Sequence, residues 1–164
     1  MSIRFGILTL SDRSASGERT DASGPALADL IRAQNWSVTK QAILPDDESA
    51  IRTTLIEWAD SGEVDVILTT GGTGFAPRDV TPEATRAVIE RDAPGLAETM
   101  RAESLKKTPH AMLSRAVAGI RRHTLIVNLP GSPKGALENL QTILPVLPHA
   151  VQLLTNDPES EASH

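Results

Sequence analysis

The chain is 164 residues long, 40% hydrophobic and 23% charged, with a net charge of −5 and no cysteine. That length fits one domain with a substantial core, and the composition is ordinary for a globular domain. The negative balance argues against non-specific binding to nucleic acid or an anionic membrane, while the lack of cysteine excludes disulfides, thiolate catalysis and zinc–thiolate centres and fits a cytoplasmic protein. In chain order, Met1-Ser2-Ile3-Arg4-Phe5-Gly6 runs straight into a strand over residues 3–10, with no basic stretch and apolar core of a secretory leader. Ser11-Asp12-Arg13-Ser14 and a Gly/Ser-rich loop follow, then a helix over 25–35 with Leu27, Leu30 and Ile31 at helical spacing. Residues 37–44 read as a strand that Thr39, Lys40 and Gln41 place at a sheet edge. Asp46 and Asp47 both offer a cap for a helix through Ala59, on which Ile51, Leu55 and Trp58 share a face.

Val64-Asp65-Val66-Ile67-Leu68 is apolar and β-branched, as a strand buried on both faces of a parallel sheet should be. Further on, Thr81 suits an N-cap and Pro82 the N1 position of a helix to about Arg91. Asp92-Ala93-Pro94-Gly95 interrupts it before a second helical stretch ending near Lys106. Residues 116–120 and 124–128 read as short strands joined by Arg121-Arg122-His123 as a hairpin. A junction over 129–135 leads to a helix from about Ala136, broken at Pro145 and Pro148 before an apolar turn through Leu154. Alternating strands and helices predict an α/β fold, a mostly parallel sheet with crossover helices, as one domain over 1–154 with a flexible polar tail over 155–164. No apolar segment approaches the ~20 residues needed to span a bilayer.

The chemistry concentrates in Thr69-Thr70-Gly71-Gly72-Thr73-Gly74 and the Phe75-Ala76-Pro77-Arg78-Asp79-Val80-Thr81-Pro82 that follows. Glycines at the end of a buried strand let backbone N–H groups approach an anion, and a helix N-terminus beyond adds its dipole. The loop is neither a Walker A motif, which needs Gly-Lys-Ser/Thr at its end, nor a dinucleotide fingerprint, because Pro77 stands where the third glycine would fall. In an open α/β sheet the loops after Leu10, Leu68 and Asn128 should converge on one crevice outside the strand ends. The histidines at 110, 123, 149 and 164 lack metal-ligand spacing, and Ser114 has no His and Asp arrangement that would make it a nucleophile. With two Trp, two Phe and no Tyr, few aromatic faces exist for stacking single-stranded bases.

Taken together, Leu10-Ser11-Asp12-Arg13, Pro45-Asp46, Thr69 to Gly74, Arg78 to Thr85, Leu113-Ser114-Arg115 and Leu129-Pro130-Gly131-Ser132-Pro133-Lys134 resemble the molybdopterin adenylyltransferase family, co-linearly from about Ile3 to Leu154. The resemblance implies a three-layer α/β/α fold of the molybdopterin-binding-domain type and Mg²⁺-dependent transfer of AMP from ATP to molybdopterin, releasing pyrophosphate. Asp46 and Asp79 match the family's two functional aspartates and are expected to act as catalytic, metal-side carboxylates, since Mg²⁺ prefers oxygen ligands shared with phosphate. Thr70, Gly71, Gly72, Thr73 and Gly74 are the expected nucleotide and phosphate contacts; Ser11, Asp12, Arg13, Ser132 and Lys134 are the expected contacts to the pterin or its phosphate.

Other readings stand beside these. Asp46 suits a helix cap, Asp79 a turn residue that satisfies nearby amides, and Ser11 with Asp12 a closed βα turn. Ser132 and Lys134 suit a cap and a solvated side chain. Arg13, Arg78 and Arg115 either offset substrate charge or form surface ion pairs of little energetic weight. The resemblance also extends to the molybdenum cofactor biosynthesis protein B type, some of whose members hold the pterin without catalysis, and to relatives serving tungsten. It implies a homo-oligomer, trimeric or hexameric, and a molybdenum insertase as the downstream partner.

Overall fold

Side chains that alternate along the central strands sort into two apolar cores, one on each face of a single sheet. The computed structural model describes residues 2–156, so most of the tail expected over 155–164 lies outside the described residues. The strands are β1 (Arg4–Leu10), β2 (Ser37–Leu44), β3 (Val66–Thr70), β4 (Arg91–Asp92), β5 (Ala118–Arg121) and β6 (Thr124–Leu129), in the order β2-β1-β3-β6-β5-β4. The pairs β1–β2, β1–β3 and β3–β6 are parallel, and β5 runs antiparallel to both β6 and β4. The polar strand at 37–44 does sit at an edge.

The helices are α1 (Asp12–Ala15), α2 (Ser23–Ala33), α3 (Glu48–Asp60), α4 (Thr81–Val88), α5 (Pro94–Leu105), α6 (Pro133–Ile143) and α7 (Leu147–Leu154). On one face, Ile3, Phe5, Ile7, Val66, Leu68, Leu125 and Val127 pack against α2, α5, α6 and α7. On the other, Leu8, Leu10, Ile67 and Ile126 meet Ile51, Leu55 and Ala59 of α3 and Ala84 and Val88 of α4. Three layers result. Among the described residues no helix is long and apolar enough to cross a membrane.

Several boundaries differ from the sequence reading. The helix expected to reach Arg91 ends at Val88, where Ile89 turns extended (φ −72°, ψ 147°). The amides of Glu90 and Ala93 instead bond the carbonyls of Ile120 and Ala118, which makes 91–92 a short edge strand. Gly119 permits this approach: a Cβ there would lie 2.6 Å from the tip of Ile89. Pro94 starts α5 rather than only interrupting a helix, and Pro148 stands in the first turn of α7, because proline costs no hydrogen bond there. α1 and the 3₁₀ turn Pro109–Leu113 fall where loop was expected. The β5–β6 hairpin forms with Arg122 at φ 52°.

Candidate active site

The strand order reverses at β1, since β2 lies on one side of it and β3 on the other. The crevice of a doubly wound sheet opens at such a point, outside the carboxyl ends of the strands. There lies a cavity of about 520 Å³ lined by Leu10 and Ser11 after β1, Asp46 after β2, Thr70 to Gly72 and Asp79 after β3, and Gly131 to Pro133 after β6. The three expected loops do converge, and the loop after β2 joins them.

The glycine loop is held from behind. Gly71 (φ 104°) and Gly72 (φ 68°) occupy backbone regions open to glycine, and a Cβ on Gly71 would collide with the Leu10 carbonyl of the adjacent strand. The Gly71 amide donates to Leu129 O at 3.1 Å, so it is not the free anion donor expected of it. The amides of Gly72, Thr73 and Gly74 donate to no group among the described residues. Thr81 is not the cap either: α4 begins with it, its amide reaches Gly72 O (3.1 Å) and its hydroxyl donates to Gly71 O (2.9 Å). Arg115 braces the far end, donating from its backbone amide to Thr73 O (2.8 Å), from Nε to Gly74 O (2.7 Å) and from Nη2 to Asp79 O (2.8 Å), while it pairs with Glu83 at 2.7 Å. Below the loop, buried Asn128 donates to the hydroxyls of Thr69 (3.0 Å) and Thr85 (2.9 Å) and accepts the Val117 amide (3.0 Å).

Asp47 caps α3, accepting the Ser49 amide at 3.1 Å, and Asp46 is left for the cleft. Its Oδ2 accepts the Asp12 amide (3.1 Å), and the Asp46 amide in return donates to Asp12 Oδ1 (3.0 Å). Asp46 Oδ1 is buried and has no hydrogen-bond partner. It lies beside Gly72, where a Cβ would stand 3.1 Å from it. Burial, with the charges of Asp12 and Asp79, pushes this carboxyl above the ordinary carboxylate range against the pull of the Asp12 amide and Arg78. Asp79 Oδ2 accepts the Ala76 amide at 3.0 Å, so its turn role is real and coexists with a place in the cleft lining.

Not every expected contact reaches this cavity. Ser11, Thr70, Gly71, Gly72 and Ser132 line it. Thr73 and Gly74 line a neighbouring cavity of about 330 Å³ with Arg101, Lys107 and His110, and Ser132 lines both. Ser132 also caps α6, accepting the Gly135 amide (3.1 Å). Arg13 and Lys134 are exposed and line neither cavity, and Asp12 stands behind the lining with Arg78 on its carboxylate. Sequence reasoning passed over Thr9, Arg19 and Asp21. Arg19 donates to Ser11 Oγ (3.1 Å), and Asp21 accepts the Thr9 hydroxyl (2.8 Å) and the Gly24 amide (3.1 Å). An Asp just before Ser23-Gly24-Pro25 is a helix-start signal that marked Asp21.

No group of three or more His, Asp or Glu suited to a metal exists among the described residues. A hard divalent cation that takes most of its ligands from phosphate and water needs only one or two carboxylates, and the orphaned Asp46 oxygen is a donor of that kind.

The model of the probable molybdopterin binding domain family matches residues 6–149. The chain is 49% identical to the molybdenum cofactor synthesis protein cinnamon of Drosophila melanogaster over 95% of its own length, but spans only 26% of that protein. It is 42% identical to molybdopterin adenylyltransferase of Helicobacter pylori over 93% of this chain and 88% of that one. The crystal structure of the molybdopterin biosynthesis enzyme MoaB from Thermus thermophilus superposes with a TM-score of 0.89 at 52% identity, covering 95% of this chain and 98% of that one.

Proposed function

This chain belongs to the probable molybdopterin binding domain family, and we propose that it is a molybdopterin adenylyltransferase that moves AMP from ATP to the terminal phosphate of molybdopterin. An oxygen of that phosphate attacks the α-phosphorus of ATP, the bond from the α-phosphorus to the bridging oxygen breaks, and pyrophosphate leaves. Such a displacement asks the protein to position two anions and offset their charge rather than to donate a nucleophile.

The observation that carries this reading is the buried, unpartnered Asp46 oxygen beside a glycine loop whose Gly72, Thr73 and Gly74 amides have no partner among the described residues. Asp46 and Asp79 would hold Mg²⁺, which supplies charge neutralisation of the phosphates and in-line orientation. The loop amides bind phosphate oxygens, with Ser11 and Ser132 as hydroxyl donors, while the Thr70 hydroxyl is spent on Pro130 O (2.6 Å) and serves the loop itself; the α6 N-terminus behind Ser132 favours negative charge. The two cavities that meet at Ser132 suit two substrates brought to one reacting centre. Identity of 42% to the Helicobacter pylori adenylyltransferase supports the same activity. The reading carries with it a homo-oligomer in the cytoplasm that passes its product to a molybdenum insertase.

Purified protein given ATP, Mg²⁺ and molybdopterin should form adenylylated molybdopterin and pyrophosphate in equal amounts. Asp79→Asn should abolish turnover with an unchanged melting temperature, because the amide oxygen still accepts the Ala76 N–H while the charge is gone. Tight binding of molybdopterin by the folded wild type with no ATP consumed would replace the enzyme with a pterin-holding scaffold.

A further inference from the structure

We propose that Asp12 is a positioning residue rather than a substrate ligand: clamped by Arg78, it fixes the Asp46 carboxylate with its free oxygen turned to the glycine loop. This rests on the reading of Asp46 as a functional carboxylate of the cleft.

One carboxylate ties three loops together. Asp12, after β1, accepts the Asp46 amide, after β2, on Oδ1 at 3.0 Å. Arg78, after β3, closes a two-pronged pair on the same group, Nη2 to Oδ1 and Nε to Oδ2, both at 2.9 Å. A planar fork on a planar carboxylate fixes orientation as well as distance. The return bond from the Asp12 amide occupies Asp46 Oδ2 at 3.1 Å. With one oxygen engaged, Oδ1 is the oxygen left beside Gly72.

Two observations separate this role from direct contact. Asp12 does not line the cleft, whereas Asp46 and Asp79 do. Both Asp12 oxygens already have partners, and Arg78, which spends Nε and one Nη2 hydrogen on Asp12, does not line the cleft. Arg78 also precedes Asp79 on a turn closed by the Asp79 amide on Ala76 O (2.9 Å), which connects the clamp to the second cleft carboxylate. The pair is solvent-exposed, with side chains 67% and 43% accessible. Exposed pairs contribute little to folding, so the clamp can be removed without unfolding the protein.

The test is a double-mutant cycle on Asp12→Ala and Arg78→Met in the full-length protein, with AMP-transfer kinetics and NMR amide exchange. Each single variant should lose about tenfold in kcat, the usual range for a group that orients a ligand residue, with KM for ATP and melting temperature little changed. The double variant should be no slower than the slower single one, and Arg78→Lys should recover part of the loss. Multiplicative losses in the double variant would show that Arg78 meets substrate independently and would overturn the proposal. Exchange reads the clamp without turnover: the Asp46 amide should lose protection in Asp12→Ala and, to a lesser degree, in Arg78→Met. Unchanged protection in Arg78→Met would overturn it as well. If the wild type transfers no AMP yet exchange behaves as stated, the adenylyltransferase reading fails and the clamp stands.

Discussion

Replacing Asp46 by Asn should make this protein more stable and less active. Asp46 Oδ2 accepts the Asp12 amide, but Oδ1 is buried without a partner, and burial together with Asp12 and Asp79 disfavours the charged form. Asparagine keeps the shape and an oxygen for the Asp12 amide while removing the charge. The amide nitrogen that takes the place of Oδ1 is left unpartnered in its turn, so the gain comes from relieving a half-buried charge and not from satisfying an acceptor; about 1 kcal/mol is the order expected. A gain of about 1 kcal/mol in a chain of this size raises Tm by roughly 2–4 °C. The pH dependence has a definite sign. Folding raises the Asp46 pKa, so protonation favours the folded state, and the wild type carries its handicap above that pKa and loses it as pH falls through it. The advantage of Asp46→Asn should therefore be widest near neutrality and disappear in acid. Calorimetric melting of both proteins across that range, with AMP transfer measured beside it, is the assay. A variant that melts below the wild type near neutrality would refute the reasoning, since it would mean that the fold depends on the carboxylate it is said to strain against.

Other perturbations follow from the same hydrogen bonds. Arg115→Met removes two bonds to loop carbonyls and the pair with Glu83; discounted for exposure, about 1–2 kcal/mol is lost and Tm should drop by roughly 4 °C. Arg115 holds the Glu83 carboxyl below its ordinary range, so that part of the stability is present at neutral pH and lost as pH falls through the lowered folded value. A Tm gap between the two proteins that stays constant into acid would contradict this. Asn128→Ala strands the Val117 amide and deprives two threonine hydroxyls of their donor; urea unfolding should show a loss of about 3 kcal/mol, and a loss below about 1 kcal/mol would mean that the network is dispensable.

The parts of this fold that could be read from the chain are those set by local periodicity. The strand read over 3–10, the apolar run 64–68 read as buried on both faces, and the helical spacing of Leu27 and Ile31 all reach the structure, in β1, β3 and α2. What escaped was decided by partners distant in sequence. Nothing local in Val88-Ile89-Glu90 says that the next amides will pair with Ile120 and Ala118 instead of continuing a helix. Thr81-Pro82-Glu83 reads as a capped helix start, yet its hydroxyl is taken by Gly71, ten residues back. Adjacent Asp46 and Asp47 are equivalent on paper; Asp47 holds the extended φ of −121° from which it caps, and that leaves its neighbour to the cleft. Of the residues that motif reading singled out, Asp46, Asp79, Thr70 and Ser132 line one cavity, Thr73 and Gly74 line its neighbour, and Arg13 and Lys134 line neither, because sequence order does not say which side of a loop a residue lines.

Charge in the cleft decides how an anionic substrate can be held at all. Its lining carries Asp21, Asp46 and Asp79 against Arg19 alone. The other basic residues near the loops are turned to architecture, Arg78 on Asp12 and Arg115 on Glu83 and two carbonyls, or are exposed elsewhere, as Arg13 and Lys134 are. A triphosphate entering this lining meets net negative charge that the unpartnered Gly72 amide offsets only in part, since an N–H carries a partial charge. The missing positive charge has to arrive with the nucleotide. Calorimetry should accordingly find ATP binding at least about tenfold weaker when divalent cations are chelated, given the several kcal/mol at stake for unlike charges at close range. Monovalent salt at the same ionic strength should not restore it, because screening reduces repulsion without bridging carboxylate to phosphate. Equal affinity with and without a divalent cation would mean that the amides suffice, and would remove the reason for two carboxylates at the mouth of an anion site.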